Sequence, residues 1–269
     1  MTFDVRTTDL EKLNSMTKYP SIETFHQLNP QGGMLTDQSM AFAAGDTIHV
    51  TEKVDGTNAR IVLLPDGTYI IGSREDYLHA RGDLIPNPSM SIVATLRGEA
   101  DRLIEWSPRG EGVTVFYFEV FGGNVTAASK QYTSQREFSY RLFDIARIDD
   151  YESVLTRERA QISSWRENGG QRWAGEEMLQ ATAEQRKLNL TPRLHTMTGS
   201  SLPTELEATH AWLKELCPRT QVALDPAAGG RAEGVVIRTP DRATIAKIRF
   251  EDYERTLNRQ NKGKAQRPA

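Results

Sequence analysis

The chain has 269 residues, 38% of them hydrophobic and 26% charged, with a formal net charge of −3. That length buries a sizeable core in one large domain or two small ones, and the composition is that of a globular protein. The charge excludes a wholly basic nucleic-acid-binding chain, and the lone Cys217 excludes an internal disulfide or a cysteine-rich zinc site; no stretch approaches the roughly 20 apolar residues that a membrane-spanning helix needs.

The N-terminus up to Met16 is polar and lacks the apolar core of a signal peptide, so a cytoplasmic location with no membrane partner is expected. Thr47-Ile48-His49-Val50-Thr51 alternates in character and reads as a strand. Ala59-Arg60-Ile61-Val62-Leu63-Leu64, the turn Pro65-Asp66-Gly67-Thr68 and Tyr69-Ile70-Ile71-Gly72 read as a hairpin. Residues 90–106 suit a helix that buries Ile92, Leu96, Leu103 and Ile104. The β-branched and aromatic run Val113 to Phe121 is a buried strand closed by Gly122-Gly123, and Tyr140 to Ile145 is another.

From Asp149-Asp150 the character changes. One helix, with Tyr151, Leu155, Ile162 and Trp165 on a face, is expected to run to Gly169-Gly170. Residues 174–188 and 203–216 also read as helices, the latter with Pro203 in its first turn. Two strands follow, Gly234 to Arg238 and Thr244 to Arg249. Strands interrupted by a helical block predict an α+β fold of antiparallel sheets with flanking helices. One domain over 1–269 is expected, with a helical insertion at about 150–216 and a basic tail at about 255–269. That tail holds five basic residues and no acidic one, as either a solvated end or a contact for phosphate backbone.

The chemistry-bearing residues are spread across these elements. Glu52-Lys53-Val54-Asp55-Gly56-Thr57-Asn58 lies between two strands, where Asp-Gly suits a tight turn and glycine admits an unusual backbone. Glu119 sits inside an apolar strand, where a carboxylate needs a partner. Lys247 and Arg249 alternate on a strand, so both face one side and call for an anion or solvent.

Lys-x-Asp-Gly resembles the first motif of the covalent nucleotidyltransferases, the superfamily of DNA ligases, RNA ligases and mRNA capping enzymes. Five further motifs follow in the family's order. Gly72-Ser73-Arg74-Glu75 looks like motif Ia, and Phe118-Glu119-Val120-Phe121-Gly122 is similar to motif III. Leu142-Phe143-Asp144-Ile145 resembles motif IIIa, Ala232-Glu233-Gly234-Val235-Val236-Ile237-Arg238 motif IV, and Ala246-Lys247-Ile248-Arg249 motif V. Together they span residues 52–249. Motif V departs from the usual Lys-x-Lys, which changes the geometry of its second cation.

The resemblance implies ATP as AMP donor and Mg2+ or Mn2+ as the metal, with Glu233 as its protein carboxylate. Lys53 would attack the α-phosphorus and carry AMP. AMP would then pass to a nucleic-acid 5′-phosphate, and a 3′-hydroxyl would displace it. By the same resemblance Glu119 contacts the ribose, Phe143 stacks on adenine, Glu52 reads the base edge, and Asn58 and Arg74 act in end joining. A lysine amine is protonated near neutral pH, so neighbouring cations such as Lys247 and Arg249 serve both to favour the neutral amine and to hold the α-phosphate.

Three features point to the RNA ligases that seal nicks in duplex RNA. Motif I ends in Asn58, where DNA ligases and capping enzymes usually carry arginine. Lys18-Tyr19-Pro20-Ser21-Ile22-Glu23-Thr24-Phe25 looks like their N-terminal segment. About twenty residues follow motif V, so the OB-fold domain of the other branches is not expected. The usual small helical domain after motif V is likewise not expected here, and the 150–216 block is read as a partial substitute. The expected partners are RNA ends or nicked duplex. Rival readings are a minimal DNA nick ligase, an inactive protein that binds nucleotides or nucleic-acid ends, and a transferase of AMP to protein or a small acceptor.

Overall fold

The structure is a computed structural model that describes residues 3–80, 91–107, 110 and 112–265. The first half runs α1 (Leu10–Thr17), β1 (His26–Leu28), β2 (Leu35–Ser39), β3 (Thr47–Lys53), β4 (Thr57–Leu63), β5 (Tyr69–Ser73), β6 (Tyr77–Ala80), α2 (Ile92–Ile104) and β7 (Val113–Gly122). The second runs β8 (Phe138–Ile148), α3 (Tyr151–Leu155), α4 (Arg159–Glu167), β9 (Arg172–Trp173), α5 (Glu176–Arg186), β10 (Arg193–Thr198), α6 (Leu206–Leu216), β11 (Gly234–Arg238), β12 (Ile245–Arg249) and α7 (Phe250–Ala265). This is an α+β fold whose sheet strands all pair antiparallel.

The chain forms two compact units. The first comprises Met1–Ser21, Gly56–Lys130 and Gln135–Leu190, around a six-stranded sheet of order β6-β5-β4-β7-β8-β9. The two-residue period of β4 sends Ala59, Ile61 and Leu63 to one face, where Phe116 and Phe118 of β7 join them under Leu96 and Leu103 of α2 and Leu179 of α5. Val62, Tyr117 and Ile148 line the other face under Leu13 and Met16 of α1 and Ile162 of α4. Leu13 and Met16 are fully buried, and each stabilises the seat of α1 by about 2 kcal/mol. Asp9 caps that helix by accepting from the Glu11 and Lys12 N–H groups. The β4–β5 hairpin closes as its sequence predicts: Gly67 takes φ +80°, and Asp66 accepts from the Thr68 N–H at 2.9 Å.

The second unit comprises Ile22–Asp55, Gln131–Ser134 and Thr191–Ala269. Its sheet has the order β10-β3-β11-β12, beside a β1–β2 hairpin. Ile48, Val50, Val235, Ile237, Ala246 and Ile248 form its apolar face, covered by α6 and α7.

Three elements differ from the sequence reading. The single helix expected after Asp149-Asp150 is two, α3 and α4. Glu158 and Gln161 form a reciprocal capping box that starts a new helix and ends the old pattern. The helix expected from Pro203 begins at Leu206 with Glu205 as N-cap, so Pro203 precedes it. The basic stretch from 255 is helical to Ala265 as the second half of α7, and residues 266–269 lie outside the described residues. The 150–216 block is mostly helical but also lends β9 to one sheet and β10 to the other.

His26 is a buried titratable group in the second unit. Its Nε2 donates to the Thr204 carbonyl at 2.8 Å, and its Nδ1 accepts from the Tyr253 hydroxyl at 2.6 Å. Burial holds its pKa below the ordinary value, against a smaller opposing pull from the Thr204 carbonyl and from Asp37 and Glu205. The unfolded chain therefore takes up a proton here before the folded one does. Stability is complete above the ordinary histidine pKa and falls as pH drops through that value toward the folded pKa. His26→Gln keeps one donor and one acceptor, so thermal melts from pH 8 to pH 5.5 should show a shallower acid loss in the variant than in the natural chain. Equal slopes would remove His26 from the account.

Candidate active site

In the second unit, register decides which side chains meet. Lys53 pairs with Gly234, which pairs in turn with Arg249; Thr51, Val236 and Lys247 align in the same way two residues on. Lys53, Lys247 and Arg249 therefore face one side, opposite the apolar core. Gly234 leaves no side chain between Lys53 and Arg249, and a Cβ there would sit 2.0 Å from the Ile248 carbonyl oxygen.

Lys53 forms an ion pair with Glu233, the residue just before β11, and both side chains are about a quarter exposed. Arg249 lies 3.9 Å from the same carboxylate. Asp252 grips the Arg249 guanidinium through two hydrogen bonds, Nε at 2.7 Å and Nη2 at 3.0 Å. Burial, then the Arg249 and Lys53 charges, hold the Lys247 amine below its ordinary pKa. The Lys247 backbone is fixed by Glu23 and Phe25 of the N-terminal segment, at 2.9 Å each, so residues 22–25 of that segment lie along β12.

Glu52 points the other way. It is buried on the core face, where its oxygens accept from the Thr220 hydroxyl and from the Gln221 N–H at 2.8 Å. It anchors the 220–222 segment. Beyond Lys53 the chain is steadied by Tyr132, whose hydroxyl accepts from the Asp55 N–H at 2.7 Å.

In the first unit, Asn58 of β4 stands opposite Glu119 of β7. Glu119 is half-buried and accepts from the Gly56 N–H at 3.0 Å. The Asn58 Oδ1 is buried and has no hydrogen-bond partner among the described residues. Phe143 sits at a bulge in β8, where the register against β7 slips between Tyr117 and Phe118. Its ring is half-buried among aromatics, edge-on to Tyr19 at 5.0 Å and 6.3 Å from Tyr117. Arg74 follows β5 and is exposed, 3.4 Å from the Ser21 hydroxyl.

Asp252, Tyr132 and Thr220 have no place among the residues singled out by sequence, and Tyr19 enters there only as part of the 18–25 segment. Asp252 left one signal, its position three residues after Arg249 at the start of a helix. The others act through tertiary contacts that carry no local pattern.

A family model, RNA ligase, matches residues 46–250. Among the curated proteins none matches significantly. Solved structures of an RNA ligase from Naegleria gruberi share the fold. The form with PPi aligns at TM-score 0.54 and 14% identity over 89% of this chain and 64% of that one. A variant with ATP and Mn gives 0.54 and 14% over 90% and 62%, and an apo variant 0.55 and 15% over 87% and 62%. The chain thus spans less than two thirds of the length of the Naegleria ligase that it matches. The match to the family model covers most of the chain and contains all six motifs: the chain belongs to the RNA ligase family.

Proposed function

We propose that the chain is an ATP-dependent RNA ligase that joins a 5′-phosphate to a 3′-hydroxyl, with Lys53 as the nucleophile. The observation that carries this reading is the constellation of Lys53, Glu233, Lys247 and Arg249 on one sheet face, with one amine at a strand end and two cations beside it.

The reaction has three displacements. The neutral Lys53 amine attacks the α-phosphorus of ATP; the N–P bond forms, the bond to pyrophosphate breaks, and the amine sheds a proton. A 5′-phosphate oxygen then attacks the same phosphorus, the N–P bond breaks, and the Lys53 nitrogen takes up a proton as it leaves as the amine. Last, a 3′-hydroxyl attacks the 5′-phosphorus, AMP leaves, and the hydroxyl proton is lost. Glu233 orients the Lys53 amine by a hydrogen bond to its carboxylate. Lys247 and Arg249 balance charge on the transferring phosphate, and Asp252 fixes the Arg249 fork. We assign Glu119 to the ribose, Phe143 to adenine with Tyr19 bracing its edge, and the unpartnered Asn58 Oδ1 to the joining ends. Glu52 is a positioning residue for the 220–222 segment.

Among the described residues no group of three or more His, Cys, Asp or Glu is arranged to hold a metal. A divalent ion that keeps its waters and binds substrate phosphates needs only one or two carboxylates, and Glu233 fits that demand. Bound there, Mg2+ or Mn2+ would offset phosphate charge.

Matched nicks in RNA and DNA duplexes, each with a 5′-phosphate and a 3′-hydroxyl, test the reading with ATP and Mg2+ or Mn2+. Faster sealing of the RNA nick is expected. Faster sealing of DNA would make the chain a DNA nick ligase. Formation of lysyl-AMP with no transfer to either nick would point to another AMP acceptor.

A further inference from the structure

A groove of about 460 Å³ opens in the first unit between α1, α4 and the turn after β5. Lys18, Arg74, Arg159 and Arg166 line it, with hydroxyls from Ser21 and Ser163. Three carboxylates hold these cations in place. Glu75 takes Lys18 at 2.6 Å, Glu11 takes Arg159 at 2.6 Å, and Glu167 takes Arg166 at 2.7 Å. Four cations against three carboxylates leave one net positive charge.

A fifth cation lies beneath. Arg60 is fully buried, and its guanidinium donates to the Asn14 side chain, which itself lines the groove. Its Nε and Nη1 have no hydrogen-bond partner among the described residues. Arg166 and Glu75 are among the charges that Arg60 feels. The guanidinium stacks over the Tyr77 ring at 5.1 Å and forms no ion pair among the described residues, so its field reaches the groove above it.

Candidate residues of the first unit lie at the groove, since Arg74 itself lines it. Arg74 follows Ser73, which pairs with Ala59 next to Asn58. Tyr19 lines the groove and packs against Phe143.

We propose that this groove seats the sugar-phosphate backbone of the RNA strand being joined, with Arg159 and Arg166 of α4 exchanging their carboxylates for phosphate oxygens. The ion pairs preorganise the cations, and the serine hydroxyls donate to phosphate or ribose. This deepens the RNA ligase reading and rests on it for the identity of the strand. The helical block after residue 150 thereby serves the acceptor rather than the nucleotide.

The test measures binding without ATP. A fluorescein-labelled nicked RNA duplex with a 5′-phosphate is titrated by anisotropy across a salt series, with Arg159→Gln and Glu11→Gln beside the natural chain. Arg159 and Glu11 are exposed, so their pairing adds little to stability. Arg159→Gln should weaken binding several-fold and lower the slope of log affinity on log salt by about one. Glu11→Gln frees Arg159 and should tighten binding. A damaged fold cannot produce these opposite signs. Unchanged affinity in both variants, weakening in both, or no RNA binding by the natural chain would overturn the groove assignment. Failure of the ligase reading looks different: no lysyl-AMP would form, while the two variants would still shift RNA affinity in opposite directions.

Discussion

Lys53→Ala retains no label from ATP labelled at the α-phosphate, and its sealing of a 5′-phosphate nick falls by at least about four orders of magnitude. The first step is the formation of a bond to the Lys53 nitrogen, and no neighbouring group replaces it. Lys247 lies on β12, with β11 between it and β3, and its backbone is pinned by Glu23 and Phe25, so its amine is not placed to substitute. The variant should fold. Lys53 is about a quarter exposed, and the Glu233 carboxylate that loses it retains Arg249 at 3.9 Å. A thermal midpoint near that of the natural chain is therefore expected. The third displacement does not use the amine, so the variant should still seal a nick whose 5′ end already carries AMP. Full labelling of Lys53→Ala would show another nucleophile at work.

Gly56→Ala should be the most damaging single-methyl change in the first motif. A Cβ at Gly56 would lie 2.2 Å from the Val120 carbonyl oxygen and 2.9 Å from its carbon. Backbone cannot swing aside as a side chain can, so β4 and β7 must part at their ends. That overpacking costs about 3 kcal/mol, or a thermal midpoint lower by roughly 10 °C. It also displaces the Gly56 N–H that holds Glu119 and, through the chain, Lys53 three residues earlier. Lysyl-AMP formation should fall together with stability. Sequence reasoning ascribes this glycine to an unusual backbone at a turn, but Gly56 is not among the positive-φ glycines. The reason is close approach: the motif's turn runs against the backbone of the motif III strand. If Gly56→Ala melts and reacts like the natural chain, that contact is not what the glycine serves.

What the sequence makes legible follows from how local each signal is. The strands β4, β5, β7, β8, β11 and β12 announce themselves by dense β-branched and aromatic runs bounded by Gly, Pro and Asp, and α2 by its apolar spacing. Strands β1, β6, β9 and β10 are two to six residues long and mixed in character, and their partners, not their composition, make them strands. Helix α1 is omitted although Asp9, Leu13 and Met16 carry a cap and a helical spacing. The six motifs bring the candidate residues into view because they recur in a fixed order, which is information about a family rather than about packing. The orientation of Glu52 follows from β3 alternation once Lys53 is assigned to the opposite face. The Asp252 clamp and the buried Arg60 are invisible without the fold, since each depends on residues brought from elsewhere in the chain.

Intact-mass and peptide-mapping spectrometry after incubation with ATP and Mg2+ or Mn2+, with and without prior pyrophosphate treatment, tests the central claim most directly. The account predicts one added AMP per chain, lost on treatment with pyrophosphate and located on the peptide that contains Lys53. An AMP located on any other residue, or a chain that takes up none after pyrophosphate treatment, would contradict it.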